Sequence, residues 1–154
     1  MPEAIIHVKT AATLEAALHS HIPLSKAMGI VVSQFDGQRL ELQAPLAPNI
    51  NHQGSAFGGS LTAISALTGW GMVQLQLGLM GVTGNTVVGQ ADSIFLQPVF
   101  QHLICRAQLP EGFADFQARL TQNGKASIQL VSEVVENNAV AMRASSKFFV
   151  RLTT

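Results

Sequence analysis

The distribution of charge constrains this fold more than any other feature, because no Asp, Glu, Lys or Arg occurs between Leu42 and Ala91. Within that stretch, the residues from Ala56 to about Leu79 follow a helical pattern and are apolar on nearly every face. A helix of this kind is stable only when other parts of the protein cover most of its sides. The rest of the chain is therefore expected to wrap around one long central helix.

The stretch from Ala56 to Val82 is also long enough to cross a bilayer. However, six glycines interrupt it and no Lys or Arg closely flanks either end. It also contains polar side chains, namely Ser60, Thr62, Ser65, Thr68, Gln74 and Gln76. Because basic flanking residues usually orient membrane spans, a helix buried inside a soluble protein is the favoured interpretation.

The composition indicates one cytoplasmic domain that self-associates. The chain of 154 residues has the size of a single domain over residues 1–154. Nine basic side chains balance nine acidic ones, so no net field attracts nucleic acid or an acidic membrane. Only 12% of residues are charged and 47% are hydrophobic, which predicts a homo-oligomer. The N-terminus MPEAIIHVKT lacks the pattern of an export signal, and the single Cys105 excludes an intrachain disulfide.

Hydrophobic spacing and turn residues predict the other elements. A short amphipathic helix spans Thr10 to His21, with Thr10 or Thr13 as its N-cap. A hairpin follows, in which Asp36-Gly37 joins strands at 29–35 and 39–44. After the long helix, further strands are predicted at 85–100, ending near Pro98, and at 103–109, 114–121, 126–135 and 140–152. Asn137 and Asn138 belong to the last turn, because Asn tolerates the left-handed conformation.

Strands that surround one central helix indicate an α+β fold with an antiparallel sheet wrapped about that helix. Alternation along the last two strands then predicts which side chains face the helix. They are Ile128, Leu130, Val134, Val140, Met142, Phe148 and Val150.

Two local sequences carry a resemblance to a known family. PNINHQGSAFGGSLTAISALTGWG at 48–71 and FLQPV at 95–99 resemble the thioesterase family typified by the C-terminal domain of YiiD. The resemblance extends over essentially the whole chain. It implies the hot-dog fold and a homodimer or dimer of dimers. It also implies that acyl-CoA or acyl carrier protein thioesters bind at the subunit interface.

Gly58 and Gly59 stand at the predicted start of the long helix. A helix N-terminus exposes unpaired N–H groups and a partial positive charge, which stabilise an oxygen that gains negative charge. The N–H of Gly59 is therefore the candidate contact for the thioester carbonyl, and Gly58 would let the substrate approach closely. Alternatively, the two glycines only let the helix pack tightly against a strand.

The loop before the helix supplies further candidates. In PaaI-type thioesterases an Asn precedes a His-Gly-Gly sequence, so the resemblance implies that Asn51 orients a water or the thioester carbonyl. An Asx turn or a helix-entry cap is an alternative role for Asn51. His52 is either a substrate contact or a solvated bystander. The full set of expected substrate-binding residues is His52, Gly54, Phe57, Gly58, Ser60 and Ser93.

Two departures from the PaaI pattern affect catalysis. Phe57 replaces the His, and Ala66 replaces the helix carboxylate expected nine residues later. That carboxylate activates water or attacks the carbonyl, and residues 42–91 contain no substitute. Asp92 and Ser93 are the nearest polar replacements and would reach the site across a dimer interface. The alternative is that Asp92 faces solvent.

Hydrolysis of acyl thioesters is the predicted function. Decarboxylation of a malonyl carrier-protein thioester is an alternative, because it needs a polarised carbonyl and a poorly hydrated pocket but no water nucleophile. A non-catalytic module that binds acyl thioesters is a third possibility, from another class. The sequence has no phosphate loop, dinucleotide fingerprint or metal motif, so neither a cofactor nor a metal is expected. Cys105 is expected to be a buried thiol rather than a nucleophile.

Overall fold

The computed structural model describes residues 5–153. The first four residues of the N-terminal segment, and the last residue of the expected 1–154 domain, lie outside them. The helices are α1 (Ala11–His21), α2 (Pro23–Met28), α3 (Gly58–Leu79) and α4 (Phe113–Asn123), with a single 3₁₀ turn at Ala47–Asn49. The strands are β1 (Val31–Phe35), β2 (Arg39–Ala44), β3 (Gly84–Phe95), β4 (Leu103–Gln108), β5 (Lys125–Glu136) and β6 (Ala139–Leu152).

The six strands form one antiparallel sheet in the order β1-β2-β4-β5-β6-β3. The long helix α3 packs against five of them, from β2 to β6. This arrangement confirms the predicted α+β architecture and is the hot-dog fold. The predicted N-cap of α1 is also correct, because the Thr10 hydroxyl accepts a hydrogen bond from the Thr13 amide.

The polar residues of α3 attach it to the strand ends. The side-chain amide of Gln74 donates to Gly84 O at 3.1 Å and to Thr86 Oγ1 at 3.0 Å. The side-chain amide of Gln76 donates to Gly37 O at 2.8 Å. Buried side-chain amides are normally hydrogen-bonded, because an unpaired one is costly. These hydrogen bonds therefore fix the position of α3 along the sheet. None of the described helices, α3 included, is both long and apolar enough to cross a membrane.

The face of β5 and β6 that meets α3 is apolar, as alternation predicts. Ile128, Leu130, Val134, Met142, Phe148 and Val150 are all buried. Val140 departs from the prediction, because it is only half-buried. A register shift next to Val135, which pairs with Val140, moves Val140 out of phase with the buried set.

The strand predicted at 114–121 is wrong, because these residues form part of α4. Phe116 and Leu120 lie one helical turn apart and are the buried residues of α4. The apolar residues here fit both the two-residue repeat of a strand and the repeat of a helix, so their spacing alone could not distinguish a strand from a helix. The strand predicted at 85–100 also ends earlier, at Phe95.

Both predicted turns form. Asn137 and Asn138 have φ angles of 52° and 62°, the left-handed conformation expected of them. In the β1–β2 turn only Gly37 has a positive φ, of 95°. The Asp36 carboxylate accepts hydrogen bonds from the amides of Gln38 and Arg39, at 2.9 and 2.7 Å, and closes this turn.

Gly78 provides a test of how closely α3 packs against the N-terminal segment. A Cβ at this position would collide with the backbone carbonyl of Val8, which is buried and cannot move as a side chain does. We expect Gly78→Ala to lower the free energy of unfolding by about 1–3 kcal/mol, the range for overpacking in a core. Urea denaturation measures this change.

Gly112→Ala is the matched control. Nothing lies within 4 Å of a Cβ at Gly112, and its φ of −79° suits any residue. This variant should change the free energy of unfolding by less than about 0.5 kcal/mol. Equal destabilisation by the two substitutions would contradict the proposed clash.

Candidate active site at the start of the long helix

The N-terminus of α3 presents two amides that the fold does not use. Phe57 occupies the N-cap position, and its side chain cannot cap the helix. Its carbonyl accepts from the amides of Ser60 and Leu61, at 2.9 and 3.1 Å. Within residues 5–153, no hydrogen-bond acceptor meets the amides of Gly58 and Gly59. Gly59 is exposed and Gly58 half-buried, so both lie at the positive end of a 22-residue helix, near solvent.

Backbone hydrogen bonds from two distant segments hold this helix start. The Phe57 amide donates to Asn49 O at 2.7 Å, and the Ala56 amide donates to Val99 O at 2.8 Å. Loop 50–56 closes on itself, since the Asn51 amide donates to Ser55 O at 2.7 Å. The direction in which the two free amides point is therefore set by both the 3₁₀ turn and the segment after β3.

A buried carboxylate, Glu136, fixes the segment after β3. Its oxygens accept from the amides of Phe100, at 2.9 and 3.1 Å, and of Gln101, at 3.1 Å. Glu136 is only 8% exposed. Because Val99 immediately precedes these amides, Glu136 supports the hydrogen bond from the Ala56 amide to Val99 O. The sequence indicated only a turn at this position, and nothing in it marks the long-range contact.

A cavity of about 300 Å³ opens beside Gly59. Its lining includes Leu24, Met28, Asn49, Phe57, Gly59 and Ser60. The Phe57 ring lies directly over Gly59, where any Cβ would collide with it. A Cβ at Gly58 would instead lie 3.8 Å from the Phe95 ring, an ordinary contact. Of the two glycines, only Gly59 would with a side chain force a neighbour, the exposed Phe57 ring, to move.

Asn49 is a polar residue of this cavity that sequence reasoning missed. It is 2% exposed, and its side-chain nitrogen donates to Met28 O at 2.9 Å and to Pro45 O at 2.8 Å. Its side-chain oxygen has no hydrogen-bond partner among the described residues. Buried acceptors are normally satisfied, and this oxygen is itself buried, so it is an unpaired polar atom inside the wall of the cavity.

Asn51 uses its side chain within its own loop. Its Oδ1 accepts from the amides of Gln53 and Ser55, at 2.9 and 3.1 Å, and its amide group donates to Ser55 Oγ at 2.9 Å. This arrangement is an Asx turn, the alternative to a role in orienting a water or the thioester carbonyl. His52 and Gly54 are exposed on the same loop, and Gly54 has a φ of 83°. None of these three residues lines the cavity.

The side chains of Asp92 and Ser93 lie on opposite faces of the sheet. Residues opposite each other in an antiparallel pair carry their side chains on the same face. Ser93 pairs with Ala144, which belongs to the core, so Ser93 faces α3. Asp92 pairs with Ser145, so its carboxylate lies on the opposite, outer face and is exposed. Within one protomer, Asp92 therefore does not meet the start of α3.

Cys105 is fully buried on β4. Burial raises the pKa of its thiol to about 11. The thiol lies 3.9 Å from Ser65 Oγ, and the Ser65 hydroxyl itself donates to Met142 Sδ. Such a thiol stays protonated at neutral pH and is inaccessible, so it does not serve as a nucleophile.

We expect Cys105 to resist alkylation by iodoacetamide in the native protein at pH 8, because the thiolate is the reactive form and its pKa is about 11. In denaturant the pKa should return to about 8.5, and alkylation should then be fast. Mass spectrometry of the modified protein measures both rates. Comparable rates in the two states would show that the thiol is accessible.

The fold and the helix start define this chain as a hot-dog protein. Residues 11–152 match the family described as "Putative thioesterase (yiiD_Cterm)". The chain belongs to this family, which confirms the resemblance carried by the sequence at 48–71. Family membership places it, at a coarse level, among thioester hydrolases.

Solved structures agree with this assignment. The structure of a putative thioesterase from Shewanella oneidensis shares 32% identity, covering 93% of this chain and 97% of its own, with a TM-score of 0.85. A protein of unknown function from Chlorobaculum tepidum shares 28% identity over 94% and 98% of the two chains, with a TM-score of 0.87. The E. coli PaaI protein shares 19% identity over 94% of each chain, with a TM-score of 0.68, a likeness of fold alone.

Proposed function

We propose that this protein hydrolyses acyl thioesters whose carbonyl oxygen binds the amides of Gly58 and Gly59. The two free amides at the start of α3 carry the proposal, together with membership of a thioesterase family. As water attacks the carbonyl carbon, negative charge develops on the oxygen. Fixed N–H donors at a helix N-terminus stabilise that charge, and one such donor is worth about 3 kcal/mol in comparable acyl-transfer sites.

The cavity beside Gly59 suits the acyl side of the substrate. Its walls are largely apolar, with Leu24 and Met28 from α2 facing Phe57 and Ser60. Asn49 borders the cavity, and its hydrogen bonds to Met28 O and Pro45 O hold the wall on that side in place. Phe57 and Ser60 are accordingly proposed as substrate contacts, and His52, Gly54 and Ser93 as more peripheral ones.

The lack of a carboxylate favours malonyl-thioester decarboxylation as a second candidate. No Asp or Glu is among the described residues that line the cavity. In decarboxylation the bond between the carboxylate and the α-carbon breaks, CO₂ leaves, and the resulting enolate oxygen is held by the same two amides. Water need not be activated. Proton transfer by Asp92 would require the strand of another protomer, since its side chain faces away from α3.

A panel of acyl-CoA and acyl carrier protein thioesters separates the possible functions. Release of free thiol demonstrates hydrolysis, whereas CO₂ together with the acetyl thioester demonstrates decarboxylation. Saturable binding without turnover identifies a binding module. If neither malonyl nor long-chain thioesters bind or react, the proposal fails.

Gly59→Val tests the role of the helix start. The new side chain must displace the Phe57 ring and covers the approach to the two amides. We expect kcat to fall by about two to three orders of magnitude, as when an oxyanion donor is removed. Steady-state kinetics measure the loss, while circular dichroism and gel filtration should show an unchanged fold and oligomer.

Thr62→Val is the control for this substitution. Thr62 is exposed one turn into α3 and is itself β-branched, so the change adds little volume and removes only the hydrogen bond from its hydroxyl to Gly58 O, at 3.0 Å. Activity should stay within a few-fold of wild type. Full activity of Gly59→Val would show that the thioester carbonyl binds elsewhere.

We also propose a homodimer, or a dimer of dimers, in which β3 strands pair. β3 is an edge strand of the sheet and carries exposed apolar side chains. Val87, Val88, Ile94 and Phe95 are between 47% and 60% exposed. A long apolar edge of this kind is a template for pairing with another strand. Pairing there would place the helix start at the subunit interface, because a Cβ at Gly58 would lie only 3.8 Å from the Phe95 ring.

Val88→Arg should convert this dimer to a monomer, because the charge would be buried without a partner at the interface. Val31→Arg is the matched control, since Val31 is an equally exposed valine on β1, the opposite edge strand. Sedimentation equilibrium should show a lower mass only for Val88→Arg. A dimer that tolerates both substitutions would exclude the β3 interface.

A further inference from the structure

The cavity beside Gly59 is a short groove between two helices. Its lining occupies one face of α2 and one face of α3, since residues three or four apart on a helix lie one above the other. The groove runs along the start of α3, and Ala63 is the lining residue of α3 that lies farthest from the free amides. The lining residues of α2 are Leu24, Ala27 and Met28, and those of α3 are Gly59, Ser60 and Ala63.

Small residues create the space between the two helices. On α3, Gly59 has no side chain, and Ala63, one turn further on, has only a methyl group. Ala27 on α2 is equally small. Side chains one turn apart on a helix are neighbours, so a larger residue at any of these positions would project into the groove. The size of the ligand that fits is therefore set by a few methyl groups.

The exposure of the lining shows which side of the groove is closed. Met28 and Asn49 are 4% and 2% exposed, so they form the floor. Leu24 and Phe57 are 55% and 57% exposed, so they form the rim. The side chain of Asn49 donates to Met28 O at 2.9 Å, which ties the floor to α2. A ligand therefore enters from the rim and lies along the helices rather than between them and the sheet.

The groove is short and uncharged. Gly59 and Ala63 are four residues apart, which corresponds to a rise of about 6 Å along α3. An alkyl chain covers this distance with about four or five carbon–carbon bonds. The volume, about 300 Å³, lies at the lower end of the range for small-molecule sites. None of the described residues that line the groove is charged, so it suits a short alkyl group.

We propose that this groove selects alkyl acyl groups of up to about six carbons, and that Ala63 sets the limit. The inference rests on the proposed function and names the substrate class of the same site. The thioester carbonyl binds the amides of Gly58 and Gly59, and the alkyl chain lies in the groove with its end at Ala63. Longer chains extend past Ala63 and gain no further burial.

A series of pantetheine thioesters tests the length limit, because pantetheine is the arm that CoA and carrier proteins share. From acetyl to hexanoyl, kcat/KM should rise by up to about fourfold for each added methylene, the effect of burying one such group. From hexanoyl to decanoyl it should rise no further. A profile that is flat up to hexanoyl, or that keeps rising to decanoyl, would overturn the proposal.

Ala63→Leu tests the residue that sets the limit. The larger side chain fills the far end of the groove, so the ratio of kcat/KM for the hexanoyl ester to that for the acetyl ester should fall about tenfold or more. Hydrolysis of the acetyl ester should stay within a few-fold of wild type, which shows that the fold and the amides are intact. Equal losses for both esters would overturn the role of Ala63.

Ala16→Leu is the matched control. Ala16 is exposed on α1 and does not line the groove, and it receives the same added volume. The ratio for the hexanoyl and acetyl esters should be that of wild type. An equal fall of the ratio in the two variants would show that filling the groove is not its cause.

Ala63→Gly is the reciprocal change. Loss of one methyl group makes room for about one further carbon, so the chain length at which kcat/KM stops rising should increase by that amount. Glycine destabilises a helix only mildly, so the variant should fold. A limit that stays at the wild-type length would contradict the assignment of Ala63.

Unreactive analogues separate this inference from the proposed hydrolysis. In 2-oxoalkyl thioethers of pantetheine a methylene lies between the sulfur and the carbonyl carbon, so water cannot release the thiol. Isothermal titration should show a Kd that falls with chain length to the same limit, and Ala63→Leu should raise it for the longer chains alone. If this dependence holds but no thioester is hydrolysed, the proposed hydrolysis fails and the groove stands. If thioesters of all lengths are hydrolysed equally, the hydrolysis stands and the groove inference fails.

Discussion

The burial of α3 is the constraint on which the rest of the structure depends. A helix with apolar residues on nearly all sides must be enclosed, and β2 to β6 curve around it to do so. Most of its sides are then used in packing, and only a few residues such as Thr62 stay exposed. Only the helix ends retain backbone groups without partners. At the N-terminal end, Phe57 offers no side-chain cap, so the amides of Gly58 and Gly59 stay available.

The helix start is positioned by residues far from it in sequence. The backbone carbonyl of Asn49 accepts a hydrogen bond from the Phe57 amide. The side chain of Asn49 in turn donates to the carbonyls of Met28 and Pro45. On the other side, Glu136 anchors the segment whose Val99 carbonyl holds Ala56. A donor that is aimed before substrate arrives needs no reorganisation during the reaction, which is the usual source of electrostatic catalysis. The same contacts that complete the fold therefore prepare the proposed site.

The edge strand β3 connects the start of α3 with the proposed dimer interface. Its last residue, Phe95, lies close to the start of α3, since a Cβ at Gly58 would be only 3.8 Å from the Phe95 ring. Self-pairing of β3 would therefore place the helix start beside a second protomer, so the proposed dimer would do more than cover apolar surface.

The sequence by itself determined the long buried helix, the alternating strands and the Asn137-Asn138 turn, because these follow from local periodicity and backbone preference. It also identified the family from the residues around Gly58 and Gly59. It failed at α4, where apolar spacing fits two periods, and at Val140, where a register shift changes the phase. Only the tertiary structure decided which polar groups meet. The unpaired oxygen of Asn49 and the outward direction of Asp92 both depend on strand register and long-range packing. Spacing along the chain does not encode those contacts, because each joins segments whose separation in space is set by the whole sheet.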